Sequence, residues 1–191
     1  MRAAGMATIA YYYFDFRDVK KQDIYGLLSS LVFQLSAELD SCYKVLSRLY
    51  LDHAGGMRNP TATTLSKCFK DMLNLSGQGP IYIVVDALDE CPDVLGAPSA
   101  REEVLELVAE IVGLKLSNLH LCVASRPEIG IRKTLEPLRP LQISLHDEDR
   151  QKCDIIQYIK SVVHSDKKMR HWRNEDKQLV VEELSEKADG M

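Results

Sequence analysis

Three carboxylates, Asp86, Asp89 and Glu90, follow an uncharged apolar run at residues 81–85 (IYIVV). Crowding acids at the tip of an apolar segment is electrostatically costly unless a cation arrives, and Mg2+ held by one or two carboxylates plus phosphates would relieve it. This is the Walker B arrangement: an apolar strand, an acid for the metal in Asp86, and nearby acids, Asp89 and Glu90, able to position or polarise a water. The plainer alternative has Asp86 capping the following turn, with Asp89 and Glu90 solvated in a loop. A second apolar run ends on Arg126, within residues 124–128 (ASRPE). An Arg at a strand tip can sense a γ-phosphate through charge-assisted hydrogen bonds. It can equally pair with Asp89, Glu90 or Glu128.

Other reactive side chains fall into no such pattern. His164, His171 and Cys153 have no helical metal-ligand spacing, and His120 and Cys122 alternate within an apolar run that predicts core packing. Cys122 and Arg126 are too close in sequence for a phosphatase loop, and there is no Gly-x-Ser-x-Gly elbow. The basic run at residues 167–173 (KKMRHWR) reads as a solvated connection between helices.

The elements that must position the acids alternate in type. Residues 8–14 (TIAYYYF) are β-branched and aromatic and predict a strand. Ile24, Leu27, Leu28, Leu31, Val32, Leu35 and Leu39 recur in steps of three and four, one apolar helical stripe. A second helix carries Val45, Leu46, Leu49 and Tyr50 and stops at Gly55-Gly56; a third, after Pro60, carries Leu65, Cys68, Phe69, Met72 and Leu73. The continuous run at 81–85 predicts a strand covered on both faces. Ser99 with Glu102 predicts a capping box, opening a helix buried through Val104, Leu105, Val108, Ile111 and Val112. Residues 119–124 predict a strand and residues 141–145 a weaker one. Two helices close the sequence, one bearing Ile155, Ile156, Ile159, Val162 and Val163, the other Leu179, Val180 and Leu184. Strands separated by helices predict an α/β fold, a mostly parallel sheet flanked by helices, followed by the start of a helical region. The division expected is 1–146 for the α/β part and 147–191 for the helical segment.

Composition sets the outer bounds. The 191 residues are 46% hydrophobic and 27% charged, ordinary for a globular chain and unlike a disordered tail or a disulfide scaffold. The net charge of −4 speaks against general nucleic-acid binding. Uncharged stretches such as residues 24–37 fall short of the roughly 20 apolar residues that span a bilayer, so no membrane partner is expected. Five widely spaced cysteines without a Cys-x-x-Cys pair fit a reducing, cytoplasmic setting.

A wider set of residues carries a family likeness. Residues 11–16 (YYYFDF), Lys21-Gln22, Leu27-Leu28, residues 84–91 (VVDALDEC), residues 118–121 (NLHL), residues 124–128 (ASRPE), Asp154-Ile155 with Tyr158-Ile159, and residues 187–191 (KADGM) together resemble the NACHT domains of fungal NOD-like proteins, the nephrocystin 3-like N-terminal type. The resemblance implies a STAND-class P-loop NTPase module, a nucleotide-dependent switch that controls self-oligomerisation between an effector domain and ankyrin, WD40 or TPR repeats. It implies Mg2+ and ATP or GTP as cofactors. It makes Asp86 the metal acid, Asp89 and Glu90 the water-positioning acids, and Arg126 the sensor arginine.

The phosphate cradle of such a module, a Gly-rich loop ending in Gly-Lys-Ser/Thr, is not in this sequence: none of its ten glycines is followed by Lys. The chain is therefore expected to be a fragment, starting downstream of the family's first strand, P-loop and first helix and ending within a motif. Alone it should be inactive and bind ATP weakly or not at all. Loss of the P-loop strand should leave residues 119–124 beside a gap, filled by residues 141–145 or left as an exposed apolar edge. Two alternatives stay open: a non-catalytic interaction or scaffold module derived from a NACHT domain, and an independent Mg2+-dependent phosphohydrolase built on the three acids.

Overall fold

The computed structural model describes residues 7–93, 98–138, 141–143 and 149–187. The chain divides into two compact units, Met1–Pro140 and Leu141–Met191. In the first, β1 (Thr8–Tyr13), β2 (Ile81–Asp86) and β3 (Leu119–Val123) form a parallel sheet in the order β1-β2-β3, with Thr8 opposite Ile81 and Ile81 opposite Leu119. Helices α1 (Ile24–Glu38), α2 (Asp40–Asp52) and α3 (Ala62–Leu73) connect β1 to β2. Helix α4 (Ala100–Gly113) connects β2 to β3, and a short α5 (Ile129–Leu135) follows. The expected α/β architecture is present.

Both crossovers step the same way across the sheet, so right-handed connections lay their helices on a single face. Burial follows. Thr8, Ala10, Tyr12, Ile81, Ile83 and Val85 point into the core, while Tyr82 and Val84 are half-buried and Tyr11 and Tyr13 exposed. The expectation that β2 is covered on both faces is thus corrected. So is the placement of His120 and Cys122 in the core: they share the parity of the open face and are exposed, with His120 stacked on Tyr82 at 4.6 Å. Leu119, Leu121 and Val123 face the core instead.

The helices follow their apolar stripes. Asp23 caps α1 by accepting from the Gly26 N–H at 2.8 Å, and Leu27, Leu28, Leu31, Val32 and Leu35 are buried. Gly26 is required there, because a Cβ would lie 2.4 Å from the Lys20 carbonyl oxygen. Helix α2 ends before a turn with positive φ at Ala54, Gly55 and Gly56. Ser99 and Glu102 form the expected capping box on α4, although Val112 is exposed rather than core. The Gln34 side chain grips the outer edge of β1, accepting from the Tyr11 N–H at 3.1 Å and donating to its carbonyl at 2.7 Å.

The weak strand expected at 141–145 is not formed over residues 141–143, where Leu141 and Ile143 are exposed; residues 144 and 145 lie outside the described residues. Leu141 and Ile143 find no cover, and among the described residues nothing pairs with the outer edge of β3. In the second unit α6 (Asp149–Ser165) packs on α7 (Asn174–Lys187). The buried positions of α7 are Lys177 and Val181, one turn apart; Leu179 and Leu184, expected inside, are exposed. Among the described residues no helix is long and apolar enough to cross a membrane.

Candidate functional site

Asp86 ends β2 on the open-face parity and is exposed. Its Oδ1 accepts from the Ala87 N–H at 2.8 Å. Ala87 then adopts a left-handed conformation (φ 53°), unusual for a residue with a Cβ, and turns the chain into a single 3-10 turn at Leu88–Glu90. Leu88 anchors that turn, fully buried, and its N–H bonds the Ala124 carbonyl at 3.1 Å. The acidic turn after β2 is thereby tied to the end of β3.

The other acids are engaged by neighbouring loops. Asp89 Oδ1 accepts from the Arg126 N–H at 3.0 Å, and Oδ2 lies 3.5 Å from Arg126 Nε. The Asp89 side chain is only 10% exposed, whereas that of Arg126 is 83% exposed. Glu90 Oε2 accepts from the Phe16 N–H, in the loop after β1, at 3.1 Å. Asp89, Glu90 and Arg126 meet in one shallow cleft of about 430 Å³ that Phe16, Gln22 and Glu128 also line; Asp86 does not line it. Of the ion pairs foreseen for Arg126, the one with Asp89 forms, and Glu128 pairs elsewhere, with Arg101.

Arg101 is the residue that sequence reasoning passed over. It sits in the first turn of α4, yet it is 8% exposed. Its Nε donates to the Cys91 carbonyl at 2.9 Å, Nη2 to the Asp89 carbonyl at 2.7 Å, and Nη1 to Glu128 Oε2. The available signal was positional, since Arg101 continues the stripe of Val104, Leu105 and Val108 at helical spacing. Beneath the turn, the Cys91 thiol donates to the Gln22 carbonyl at 3.3 Å, and burial pushes its pKa up to about 12. Beside the cleft, Arg17 holds Asp15 in a forked pair at 2.9 and 3.0 Å, chiefly through these hydrogen bonds lowering the Asp15 pKa to about 2.

The donor set suits a hard cation in one respect. Asp86 offers an exposed carboxylate at a strand end, and Mg2+ takes one or two carboxylates with waters and phosphates completing its octahedron. Among the described residues no group of three or more His, Cys, Asp or Glu side chains could enclose a metal by itself. Asp86 would hold such an ion, which when bound would neutralise charge developing on a phosphate.

A parallel α/β sheet with an acidic turn beyond its central strand and an arginine beyond the next defines the class, with charged side chains gathered at the carboxyl ends of the strands, where ligands of open α/β sheets bind. Within that class, residues 1–126 match the family described as Nephrocystin 3, N-terminal, and the chain belongs to it. The matched region contains Asp86, Asp89 and Glu90 and closes on Arg126. No curated protein and no solved structure matches the chain.

Proposed function

We propose that this chain is part of a NACHT-type, STAND-class nucleotide-dependent switch of the fungal NOD-like kind, and that it contributes the metal and γ-phosphate end of the site. The observation that carries this reading is the pairing of strand tips. Asp86 ends the central strand, one residue past the Val85–Val123 pair, and Arg126 leaves the adjacent strand three residues beyond Val123. Asp86 would hold Mg2+ through its carboxylate. The Arg126 side chain, largely solvent-exposed and touching Asp89 through one contact of 3.5 Å, can swing onto a phosphate while its backbone N–H stays on Asp89. Of the two water-positioning acids, Glu90 uses a single carboxylate oxygen on Phe16, and Asp89, whose Oδ1 stays on the Arg126 N–H, gains a free Oδ2 once the Arg126 guanidinium swings away. Cytoplasmic location, self-oligomerisation and attachment to effector and repeat domains belong to the same proposal.

The 191 residues contain no Gly-Lys pair, and loop amides with their lysine supply most of the grip on a triphosphate. That observation favours the second reading, a non-catalytic NACHT-derived interaction module, if Mg·ATP leaves the site untouched. An independent phosphohydrolase is the weaker alternative, because among the described residues no three His, Cys, Asp or Glu side chains converge to hold a metal without help from outside the chain. The test is a Mg·ATP titration of the full chain followed by amide NMR. Millimolar binding, about −4 kcal/mol, is expected, with shifts confined to residues 86–91 and 125–126 and abolished by Asp86→Asn. Low-micromolar affinity overturns the half-site reading, and absence of shifts at Asp86 overturns the metal assignment.

A further inference from the structure

We propose that Arg101 is a positioning residue that sets the spacing between the acidic turn and the Arg126 loop. The proposal deepens the reading of those loops as the metal- and phosphate-facing site and rests on it. The two loops leave different strands, and connecting segments of this kind are ordinarily the mobile parts of a fold. Arg101 belongs to neither. It projects from the first turn of α4 and bonds both. Two of its donors take the carbonyls of Asp89 and Cys91, on either side of Glu90, and the third takes the Glu128 carboxylate, two residues past Arg126.

The geometry matches the side chain. A guanidinium is a planar fork whose five N–H donors can serve three acceptors at fixed angles, whereas an ammonium is a compact point charge on a flexible stem. Burial makes the fork obligatory, since a guanidinium 10% exposed must be paired and hydrogen-bonded. Asp93 Oδ2, 3.6 Å from Nη1, adds a second negative charge. The Asp89 carbonyl is fixed by Arg101 while its carboxylate receives the Arg126 N–H at 3.0 Å. Holding the Asp89 backbone therefore aims the Asp89 side chain, and that side chain sets where the Arg126 backbone lies. Glu128 closes the circuit: its own N–H bonds the Arg126 carbonyl at 2.9 Å, and its carboxylate returns to Arg101.

Amide hydrogen exchange of the full chain, without metal or nucleotide, tests this in Arg101→Lys and Glu128→Gln variants. Loss of about one hydrogen bond's worth of restraint corresponds to roughly tenfold faster exchange at the Arg126 amide in Arg101→Lys, and a smaller acceleration in Glu128→Gln. The amides of Ile83 and Val85 in β2 should keep their wild-type protection. Arg101→Lys retains the charge, so wild-type protection at Arg126 in that variant overturns the proposal by showing that charge alone suffices. Equal acceleration across β2 also overturns it, leaving Arg101 a purely structural residue. Should Arg101→Lys fail to fold, Glu128→Gln decides alone: unchanged Arg126 protection there sinks the proposal. A chain that responds as expected in exchange but shows no Mg·ATP shifts at Asp86 would fail the site reading while leaving the positioning result intact.

Discussion

Cys91 sits between the Gln22 carbonyl and the Arg101 side chain, and it shows how far packing reshapes chemistry at single residues. Burial dominates its shift up to about 12, opposed by the nearby Arg101 charge, and burial likewise lifts Cys68 to about 11 and raises Cys42. Cys122 and Cys153 are exposed. Because the thiolate is the nucleophile, brief alkylation of the folded chain near pH 8 should label Cys122 and Cys153 and spare the other three, as read by mass spectrometry; rapid labelling of Cys91 would contradict its burial. The same shifts fix a sign. Each thiol keeps its proton in the folded chain above pH 9, where an unfolded chain would release it, so the stabilisation is complete below about pH 9 and is lost as pH rises toward 11 and 12. Tyr12, raised from 10 to about 12 mainly by burial, acts in the same direction. Asp15 has the opposite sign: its pairing with Arg17 counts above pH 3.8 and disappears as pH falls toward 2. Denaturation midpoints should therefore decline between pH 9 and 11. At this scale Asp86, Asp89, Glu90 and Arg126 were legible, because an apolar run ending in charge announces itself in one dimension. Arg101 was not, since its three acceptors, the Asp89 and Cys91 carbonyls after β2 and the Glu128 carboxylate after β3, come from two separate loops that only the fold brings together.

Gln34 performs a comparable service for a whole element. The outer edge of β1 would otherwise present unpaired backbone groups at Tyr11, and one side-chain amide fills both. Gln34→Ala should cost about 1–2 kcal/mol for two lost hydrogen bonds, measured by urea denaturation. Gln34→Glu should cost at least as much, because it sets a carboxylate against the Tyr11 carbonyl. A midpoint unchanged in both variants would mean that water replaces the clip without penalty. Element by element, the helices with regular stripes were readable almost to the residue, since burying one face of α1 or α3 needs only local periodicity. The coverage of β2 was not. An apolar run looks the same whether its crossovers go to opposite faces or to one, and here both step the same way. Helix α5 escaped notice because seven residues with one buried side chain, Ile131, leave almost no periodic trace.

At the scale of the molecule the two units differ in what holds each together. The first contains a contiguous core from Ala10 through Phe14, α1, α3, β2 and α4, built around fully buried Leu28, Leu35, Phe69 and Met72. In the second, Val163, Lys177 and Val181 are the buried side chains among the described residues, while Tyr158, Leu179 and Leu184 are exposed. Burying a valine stabilises by about 1.5–3 kcal/mol, and ordering one residue's backbone costs about 1–2 kcal/mol. Two helices of 17 and 14 residues therefore approach the regime where isolated helices are marginal in water. Exchange should divide accordingly. Amides of α6 and α7 should open through local fluctuations and exchange well ahead of those in β1 and β2, which open only with the whole first unit. Adding low urea should widen the gap, because the weaker unit unfolds first. Peptide-level exchange by mass spectrometry reads both units in one experiment. Equal protection of α7 and β2 would show that the helical pair draws on stabilisation well beyond Val163 and Val181.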